Sequence, residues 1–476
     1  MPLPYDRKDA RSIERYAKKL LDKSLREALG IDIEQTFKGK GRFGQLVEKL
    51  YFQYEPNSIS EPDFAEAGVE LKTSPLKKIG RGLVSKERLV FSIIDYKKVH
   101  EEAFRTSSFW KKNHLLLLMF YLYEEGKIDL DYIFKIISLW EFPVEDLKII
   151  KDDWEKIVQK IKDGKAHEIS EGDTLYLGAC TKGANKDSLT SQPFSSIRAM
   201  QRAFSLKSKY LNFIIEKYFA GEKFKVNQKG YEKVLGNDYL LQESSGKYTK
   251  LDLEEVEPVV KSTKDYKPGE TFEDLVIRRF KKYYGKEENE IAEELGLHKR
   301  NLKEKDKNAT LAKAIMGVRK GKVIEEFEKA DIIMKTIKVE KKGSLKESMS
   351  FAQIQFKEII HENWLDSYWF NTLTKRFFFV VFQKDENDKL KLKKVLFWTM
   401  PPGDLEIARK FWEDTRKKIK NDDFEHFIKI IDNKICHVRP KGTDSRDLME
   451  TASGRMEKKK AYWLNSSYIK HIIETA

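Results

Sequence analysis

Acidic and basic side chains stand close together in the stretch Glu61–Pro75, EPDFAEAGVELKTSP. Apolar and polar residues alternate after Gly68, which predicts a turn followed by a strand. Side chains on a strand repeat every second residue, so Glu70 and Lys72 would point the same way with Cα atoms roughly 7 Å apart. Asp63, before the turn, can fold back toward them. Two carboxylates and one ammonium at a strand end suit a hard divalent cation and an activated water.

The pattern is weak when it is taken alone. In a chain with 77 acidic and 91 basic residues among 476, acid, acid and base are expected at this spacing about twice by chance. The alternative to a catalytic site is a surface ion pair on an edge strand. The rest of the chain must therefore decide between the two interpretations.

Composition narrows the class of protein. The net charge of +14 favours a polyanionic partner, usually nucleic acid, over a merely soluble basic protein. A chain of this length is expected to form two or three domains. The only cysteines, Cys180 and Cys436, make neither a disulfide framework nor a zinc set, which predicts a cytoplasmic protein. The longest apolar run, Leu115–Tyr123, is too short to cross a bilayer, so no membrane partner is expected.

Periodicity predicts an α/β fold, with a mixed central sheet flanked by helices. The predicted helices span residues 5–29 (with Gly30 as the stop), Phe43–Tyr54 and Val144–Ile161, and two more end near Tyr218 and start at Thr271. The predicted strands span Arg88–Asp95, Leu115–Tyr123 and Thr174–Ala179, with Leu130–Trp140 as a strand or a short helix.

The second half of the chain repeats the first. Four pairs of segments align, with offsets of 229, 263, 259 and 258 residues, of which the last three are nearly equal: Phe43–Glu48 with Phe272–Ile277, Phe64–Thr73 with Phe327–Thr336, Cys180–Gly183 with Arg439–Gly442, and Arg202–Leu206 with Lys460–Leu464. Near-equal offsets indicate two lobes of one fold. We therefore expect a catalytic lobe at residues 1–220, a linker at 221–268 and a second lobe at 269–476.

The two lobes are unequal at the positions that could do chemistry. The first-lobe residues and their counterparts are Glu48 and Ile277, Asp63 and Glu326, Glu70 and Ile333, and Lys72 and Lys335. Isoleucine offers no oxygen to a cation, so the second lobe cannot hold an ion in the same way. This contrast predicts one catalytic lobe and one lobe that only binds.

These motifs resemble a known family. GQLVE, PDFAEAGVELKT, the lysine-containing loop and RAFSLK are similar to the MutH-like endonucleases of the PD-(D/E)xK fold. The two-lobe layout resembles the GATC-specific type II restriction endonucleases of that family. The resemblance implies Mg²⁺-dependent hydrolysis of a phosphodiester in double-stranded DNA at GATC.

The resemblance also implies roles for individual residues. Asp63 and Glu70 would be the metal ligands, and Lys72 would orient the attacking water and steady the developing charge. Glu48 would be a further acidic group at the catalytic site. The family places another catalytic lysine on the strand after the motif, where Lys112 is the closest position and Lys111 is adjacent.

The family reads bases with a lysine in an RPK-type loop and with a residue of the strand that follows. Lys182 matches that lysine, and Ser205 stands where the family has tyrosine. The same loop and strand, with their second-lobe counterpart, supply the remaining DNA-binding candidates, which are Thr181, Gly183, Arg202, Lys207, Arg439 and Lys441.

Two other functions share parts of this pattern. One is a GATC-binding protein without catalysis, and the other is a mismatch-repair nicking endonuclease. A palindromic site has two scissile phosphates, whereas the chain has one intact acidic set, which favours a homodimer formed on DNA. The second lobe is expected to bind a second DNA copy or a partner chain and to regulate cleavage.

Overall fold

A computed structural model describes residues 3–31, 42–55, 61–79, 82–182, 188–219, 256–297, 306–444 and 446–475. The chain divides into two compact units. The first is Met1–Thr271 with Lys322–Ala330, and the second is Phe272–Gly321 with Asp331–Ala476. Residues 221–255 of the predicted linker lie outside the described ranges.

The first unit contains helices and strands in alternation. Its helices are α1 (Ala10–Ala17), α2 (Leu25–Leu29), α3 (Arg42–Leu46), α4 (Tyr96–Val99), α5 (Ser108–Asn113), α6 (Val144–Lys162), α7 (Ser208–Phe219) and, from the later segment, α11 (Glu325–Ala330). Its strands are β1 (Glu70–Ile79), β2 (Gly82–Ser85), β3 (Leu89–Ile93), β4 (Leu115–Leu122), β5 (Ile133–Glu141), β6 (Leu177–Thr181), β7 (Leu189–Gln192), β8 (Ser195–Met200), β9 (Arg202–Leu206), β10 (Val256–Glu257) and β11 (Val323–Ile324).

A mixed sheet with the strand order β2-β1-β4-β5 carries the predicted motif. Strand β1 is parallel to β4, with Glu70 opposite Leu116, and β4 is antiparallel to β5. The apolar run predicted as a buried strand is the central strand β4, and the segment left open between strand and helix forms β5. The predicted mixed sheet with flanking helices is confirmed.

The predicted single helix over residues 5–29 is wrong, because the chain breaks between α1 and α2. Asp22 adopts a left-handed conformation with φ 57°, which a continuous helix does not allow. Ser24 then caps α2, its hydroxyl accepting from the backbone of Glu27 while the Glu27 carboxylate accepts from the backbone of Ser24. Gly30 ends α2 with φ 62°, as predicted.

The second unit has its own set of elements. Its helices are α8 (Phe272–Lys281), α9 (Glu288–Glu294), α10 (Lys307–Ile315), α12 (Phe356–Ile359), α13 (Tyr368–Leu373), α14 (Pro402–Lys420) and α15 (Ser466–Thr475). Its strands are β12 (Ile333–Val339), β13 (Met349–Gln353), β14 (Phe377–Lys384), β15 (Leu390–Trp398), β16 (Cys436–Pro440), β17 (Leu448–Glu450), β18 (Met456–Lys458) and β19 (Lys460–Leu464).

The strand topology of the first unit recurs in the second. The order β1-β4-β5 has its equivalent in β12-β14-β15, and the separate sheet β3-β9-β6 has its equivalent in β13-β19-β16. The first pair of strands is parallel in both units, with Glu70 opposite Leu116 and Ile333 opposite Phe377. The repeat read from the sequence is therefore a repeat of one fold.

A buried carboxylate fixes the entry to β6, the strand that leads to the predicted base-reading loop. Asp153 on α6 is 1% exposed, and its oxygens accept from the backbone amides of Leu175, Tyr176 and Leu177 at 2.8, 2.6 and 2.9 Å. One side chain therefore satisfies three amides that would otherwise be buried without a partner.

We expect Asp153→Ala to lower the free energy of unfolding by about 3 kcal/mol or more, because three buried amides lose their acceptor. Urea unfolding followed by tryptophan fluorescence measures the change. Glu155→Ala, on the exposed side of the same helix, is the control and should cost about 0.5 kcal/mol or less. Equal stability of the two variants would contradict this account.

Candidate active site

A tight turn folds Asp63 back onto the start of β1. The backbones of Phe64 and Val69 bond to each other in both directions, at 2.9 and 3.2 Å, and Gly68 closes the turn with φ 65°. A side chain at Gly68 would also meet the ring of His114, since a Cβ there would lie 3.2 Å from its Nε2 atom. Conformation and space together therefore require glycine at this position.

Backbone hydrogen bonds hold the two predicted metal ligands side by side. The Leu71 amide donates to Asp63 Oδ2 at 2.9 Å, and the Asp63 amide donates to Glu70 Oε2 at 3.2 Å. Glu70 is 2% exposed, so its carboxylate meets little bulk water. The turn thus places both carboxylates at the buried end of one strand.

Two lysines approach the same oxygen of Glu70. Lys72 Nζ lies 2.7 Å from Glu70 Oε1 and 3.4 Å from the carbonyl oxygen of Phe91, and Lys112 Nζ lies 3.6 Å from Glu70 Oε1. Lys111 is exposed. The structure therefore brings Lys112 to the site, but from helix α5 and not from the strand that was predicted.

Glu48 joins this group from a π-helical turn, Val47–Tyr51, that continues α3. Burial raises the pKa of Glu48 to about 7; the negative charges of Asp63 and Glu70 add to the rise, while the ammonium of Lys72 opposes it. Burial also raises the pKa of Glu70, a rise that Lys72 and Lys112 limit. Burial is the main cause of the raised pKa of both Glu48 and Glu70, and the neighbouring negative charges add to it.

The chemistry of these side chains fits a hard divalent cation. Carboxylate oxygens are its preferred ligands, and a cation would relieve the repulsion that raises the pKa of Glu48. Among the residues that the structure describes, no three acidic, histidine or cysteine side chains already surround a common point. The ammonium of Lys72 forms an ion pair with the carboxylate of Glu70. Asp63 and Glu70, held together by their backbone bonds, are the residues that would hold the ion.

Tyr54 also belongs to this site, although the sequence analysis did not single it out. Its hydroxyl is buried beside the carboxylates of Asp63 and Glu48, and burial with those two charges raises the pKa of Tyr54. Residues 43–54 were predicted as one regular helix, which gives no reason for Tyr54 to face Glu48. Only the π-helical turn brings the two side chains together.

The predicted base-reading loop is only partly described. Thr181 and Lys182 are exposed at the end of β6, and the Lys182 amide donates to the carbonyl of Gln201 at 2.7 Å. Gly183 lies outside the described residues. The guanidinium of Arg202 donates to the carbonyl of Ala179 at 2.7 Å, which ties β9 to β6.

Two predicted DNA-binding residues lie inside the first unit. Ser205 is fully buried on β9, the central strand of the sheet β3-β9-β6. Lys207 is 5% exposed, and its ammonium donates to the carbonyls of Glu171 and Thr174 at 2.8 and 2.5 Å. The structure therefore does not bring these two side chains to a surface that DNA could reach.

The second unit has cations where the first has its acidic group. The Lys441 ammonium bonds to the carbonyl of Phe351, the counterpart of Phe91, and Lys335 Nζ lies 5.5 Å from the ring centroid of Phe351. Burial lowers the pKa of Lys335, and the charge of Lys441 lowers it further. The exposed Arg439 lies with its guanidinium carbon 4.8 Å from the ring centroid of Trp463.

Glu326, the counterpart of Asp63 in the sequence, does not belong to a second acidic site. It lies in the segment that belongs to the first unit, is 4% exposed, and accepts from the amides of Val259 and Val260 at 2.9 and 2.8 Å. Glu326 is therefore the sequence counterpart of Asp63 but has a structural role in the first unit. Its carboxylate now holds the chain that enters the second unit.

Comparison with known proteins identifies the family. The family model described as the DNA mismatch repair enzyme MutH matches residues 52–153. The chain is 37% identical over 490 aligned residues to the type II restriction enzyme Sau3AI of Staphylococcus aureus, with 95% of this chain and 92% of that protein covered. The chain belongs to the MutH-like family of type II restriction enzymes. It is a hydrolase, a site-specific deoxyribonuclease.

Mismatch repair MutH proteins match a smaller part of this MutH-like restriction enzyme. The MutH of Vibrio campbellii is 28% identical over 205 residues, covering 41% of this chain and 86% of that protein. The MutH of Shewanella woodyi is 29% identical over 186 residues, covering 38% of this chain and 78% of that protein. A MutH protein thus corresponds to less than half of the chain. Within the described ranges, no helix is long and apolar enough to cross a membrane.

We expect Glu70→Gln to abolish specific binding of Ca²⁺ or Mg²⁺, because the amide removes a negative charge between Asp63 and the two lysines. Calorimetric titration of the protein with either ion measures binding without any need for catalysis. Glu66→Gln, which changes an exposed carboxylate on the same turn, is the control and should bind as the parent does. Unchanged binding by Glu70→Gln would remove this residue from the ligand set.

Proposed function

We propose that this enzyme cleaves both strands of duplex DNA at GATC with Mg²⁺, and that residues 1–220 carry the catalytic site. The convergence of Asp63, Glu70 and Lys72 at the start of β1 carries the proposal. Nearly full-length similarity to a type II restriction enzyme supports it. Cys180 and Cys436 are both free thiols, which favours the reducing cytoplasm as its compartment.

Each side chain of the acidic site has a role that phosphoryl transfer requires. Asp63 and Glu70 would hold Mg²⁺, which would supply neutralisation of charge at the scissile phosphate and a lower pKa for the attacking water. Lys72 orients that water and faces the negative charge that develops on the phosphate. Lys112, which approaches the same oxygen of Glu70 as Lys72, adds a second positive charge, and Glu48 accepts a hydrogen bond from the water shell of the site.

Two rival functions predict different behaviour. A GATC-binding protein without catalysis would need no acidic group, yet the first unit retains Asp63, Glu70 and both lysines within contact distance. A mismatch-repair nickase is the stronger rival, since MutH proteins are relatives. The second unit favours a restriction enzyme, because 95% of the chain aligns with one. A homodimer formed on DNA would supply two catalytic sites for the two strands.

We expect Glu70→Ala, Lys72→Ala and Lys112→Ala to slow cleavage of a plasmid with GATC sites by at least ~10²-fold, because each loses a charge that acts on the transition state. Gel analysis of timed digests with Mg²⁺ measures the rate, and sequencing of the product ends tests the site. Lys111→Ala, the exposed neighbour of Lys112, is the matched control and should cut normally. Full activity of Glu70→Ala or Lys72→Ala would overturn the mechanism.

The second unit binds DNA or a partner chain and regulates cleavage in this proposal. The charge of Lys441 lowers the pKa of Lys335, Arg439 is exposed two residues before Lys441, and Ile333 stands where a carboxylate would neutralise this charge. A surface of this kind suits a phosphate backbone. The occupant is a second copy of the DNA site or a partner chain with acidic groups.

We expect Arg439→Ala and Lys441→Ala to weaken DNA affinity and to slow the cleavage of two-site substrates more than that of one-site substrates, since only the former can fill both units. Equilibrium binding at several salt concentrations and timed digests of matched substrates provide the measurements. Lys470→Ala, which removes a charge from the surface of α15, is the control. If affinity and both cleavage rates stay at the parental values, the second unit has no such role.

A further inference from the structure

The side chain of Tyr54 ends in the acidic site, where its hydroxyl interacts with the carboxylates of Asp63 and Glu48 but completes a full hydrogen bond to neither. The residue is 8% exposed, and its hydroxyl oxygen is buried without a well-formed hydrogen bond to any described residue. The carboxylates of Asp63 and Glu48 lie beside it. A buried hydroxyl without a partner costs free energy that a phenylalanine would avoid, so packing alone does not explain a tyrosine at this position.

The local backbone is shaped to bring this side chain to the site. The π-helical turn is closed by a bond of 3.1 Å from the Phe52 amide to the carbonyl of Val47, and Gln53 then takes a left-handed conformation with φ 55°. The chain reverses there, and the Tyr54 amide donates to the carbonyl of Glu48 at 3.1 Å. Left-handed conformations are unfavourable for residues with a side chain, and both they and π-turns cluster at functional sites.

The ring is held from two sides, which fixes where the hydroxyl can go. Its centroid lies 5.7 Å from that of Phe64, the residue next to Asp63, and the guanidinium carbon of Arg7 lies 5.9 Å from the ring centroid. The ring therefore packs against Phe64, and the hydroxyl lies beside the adjacent residue, Asp63.

We propose that Tyr54 is a positioning residue, whose hydroxyl donates to the Asp63 carboxylate and holds it in the orientation that binds the divalent cation. This inference rests on the proposed function. A phenol suits the task because it is a neutral donor, so the carboxylate keeps its full charge for the ion. Lys72, by contrast, competes with the ion for Glu70 through its own positive charge. Asp63 is thus held by the Leu71 amide on one side and by Tyr54 on the other.

Tyr54→Phe isolates the hydroxyl, because it keeps the ring and its two contacts. We expect affinity for the cation to fall about tenfold, the lower end of what loss of a group bonded to a metal ligand costs. Calorimetric titration with Ca²⁺ of the enzyme bound to a GATC duplex measures this directly. The Mg²⁺ concentration for half-maximal cleavage should rise by the same factor, while the melting temperature stays near the parental value.

Tyr5→Phe is the matched control. Tyr5 belongs to the same aromatic cluster and is 7% exposed, but its hydroxyl donates to the carbonyl of Phe52 at 2.7 Å, away from the carboxylates. Loss of the Tyr5 hydroxyl should lower the melting temperature and leave cation affinity unchanged. If Tyr54→Phe behaves like Tyr5→Phe, with lower stability and parental cation affinity, the hydroxyl is structural and the inference is wrong.

The failure of the inference can be distinguished from the failure of the proposed function. A parent enzyme that binds Ca²⁺ and cuts, combined with parental cation affinity of Tyr54→Phe, overturns only the role of Tyr54. A parent enzyme that neither binds the cation nor cuts with Mg²⁺ overturns both. Weaker cation binding by Tyr54→Phe at an unchanged melting temperature supports the inference.

Discussion

The structure of the first unit depends on holding like charges together at a buried strand end. Asp63 and Glu70 would repel each other, and burial deprives Glu70 of water that would screen the repulsion. Backbone amides, the ammonium groups of Lys72 and Lys112, and the turn at Gly68 offset this cost. A carboxylate pair maintained in this way has electrostatic energy to release when a cation arrives.

In the second unit, the same fold does not have to hold two carboxylates together at a buried strand end. Ile333 takes the place of Glu70, so no charge is left for Lys335 to compensate at that position. The carbonyl that Lys72 faces in the first unit, that of Phe91, has its counterpart in Phe351, and this carbonyl accepts from Lys441 instead. The loop lysine Lys441 thus lies beside Lys335, the counterpart of Lys72. Where the first unit has Lys72 and Lys112 beside a carboxylate, the second has Lys335 beside the ring of Phe351 and Lys441 at the carbonyl of the same residue.

Much of the fold and of the central motif could be predicted from the sequence, because both depend on short-range patterns. The period of two places Glu70 and Lys72 on one face, and the left-handed glycine folds Asp63 back. Ser205 and Lys207 could not be placed in this way. Burial of β9 depends on elements that pack on the faces of its sheet and are distant in the sequence, such as Phe109 of α5 on Phe204, and nothing local distinguishes a strand covered on both faces from an exposed one.

Tyr54 shows where sequence patterns reach their limit. A regular helix through residues 43–54 would carry Glu48 and Tyr54 to different faces, since six residues span well over one and a half turns. The π-helical turn adds a residue to the turn, and the left-handed Gln53 reverses the chain, so the two side chains meet. Both features are unfavourable in isolation and have no strong sequence signal. They persist because the surrounding aromatic core, through Phe52 and Phe64, fixes the segment on both sides. The precision of the acidic site thus depends on packing as well as on charge.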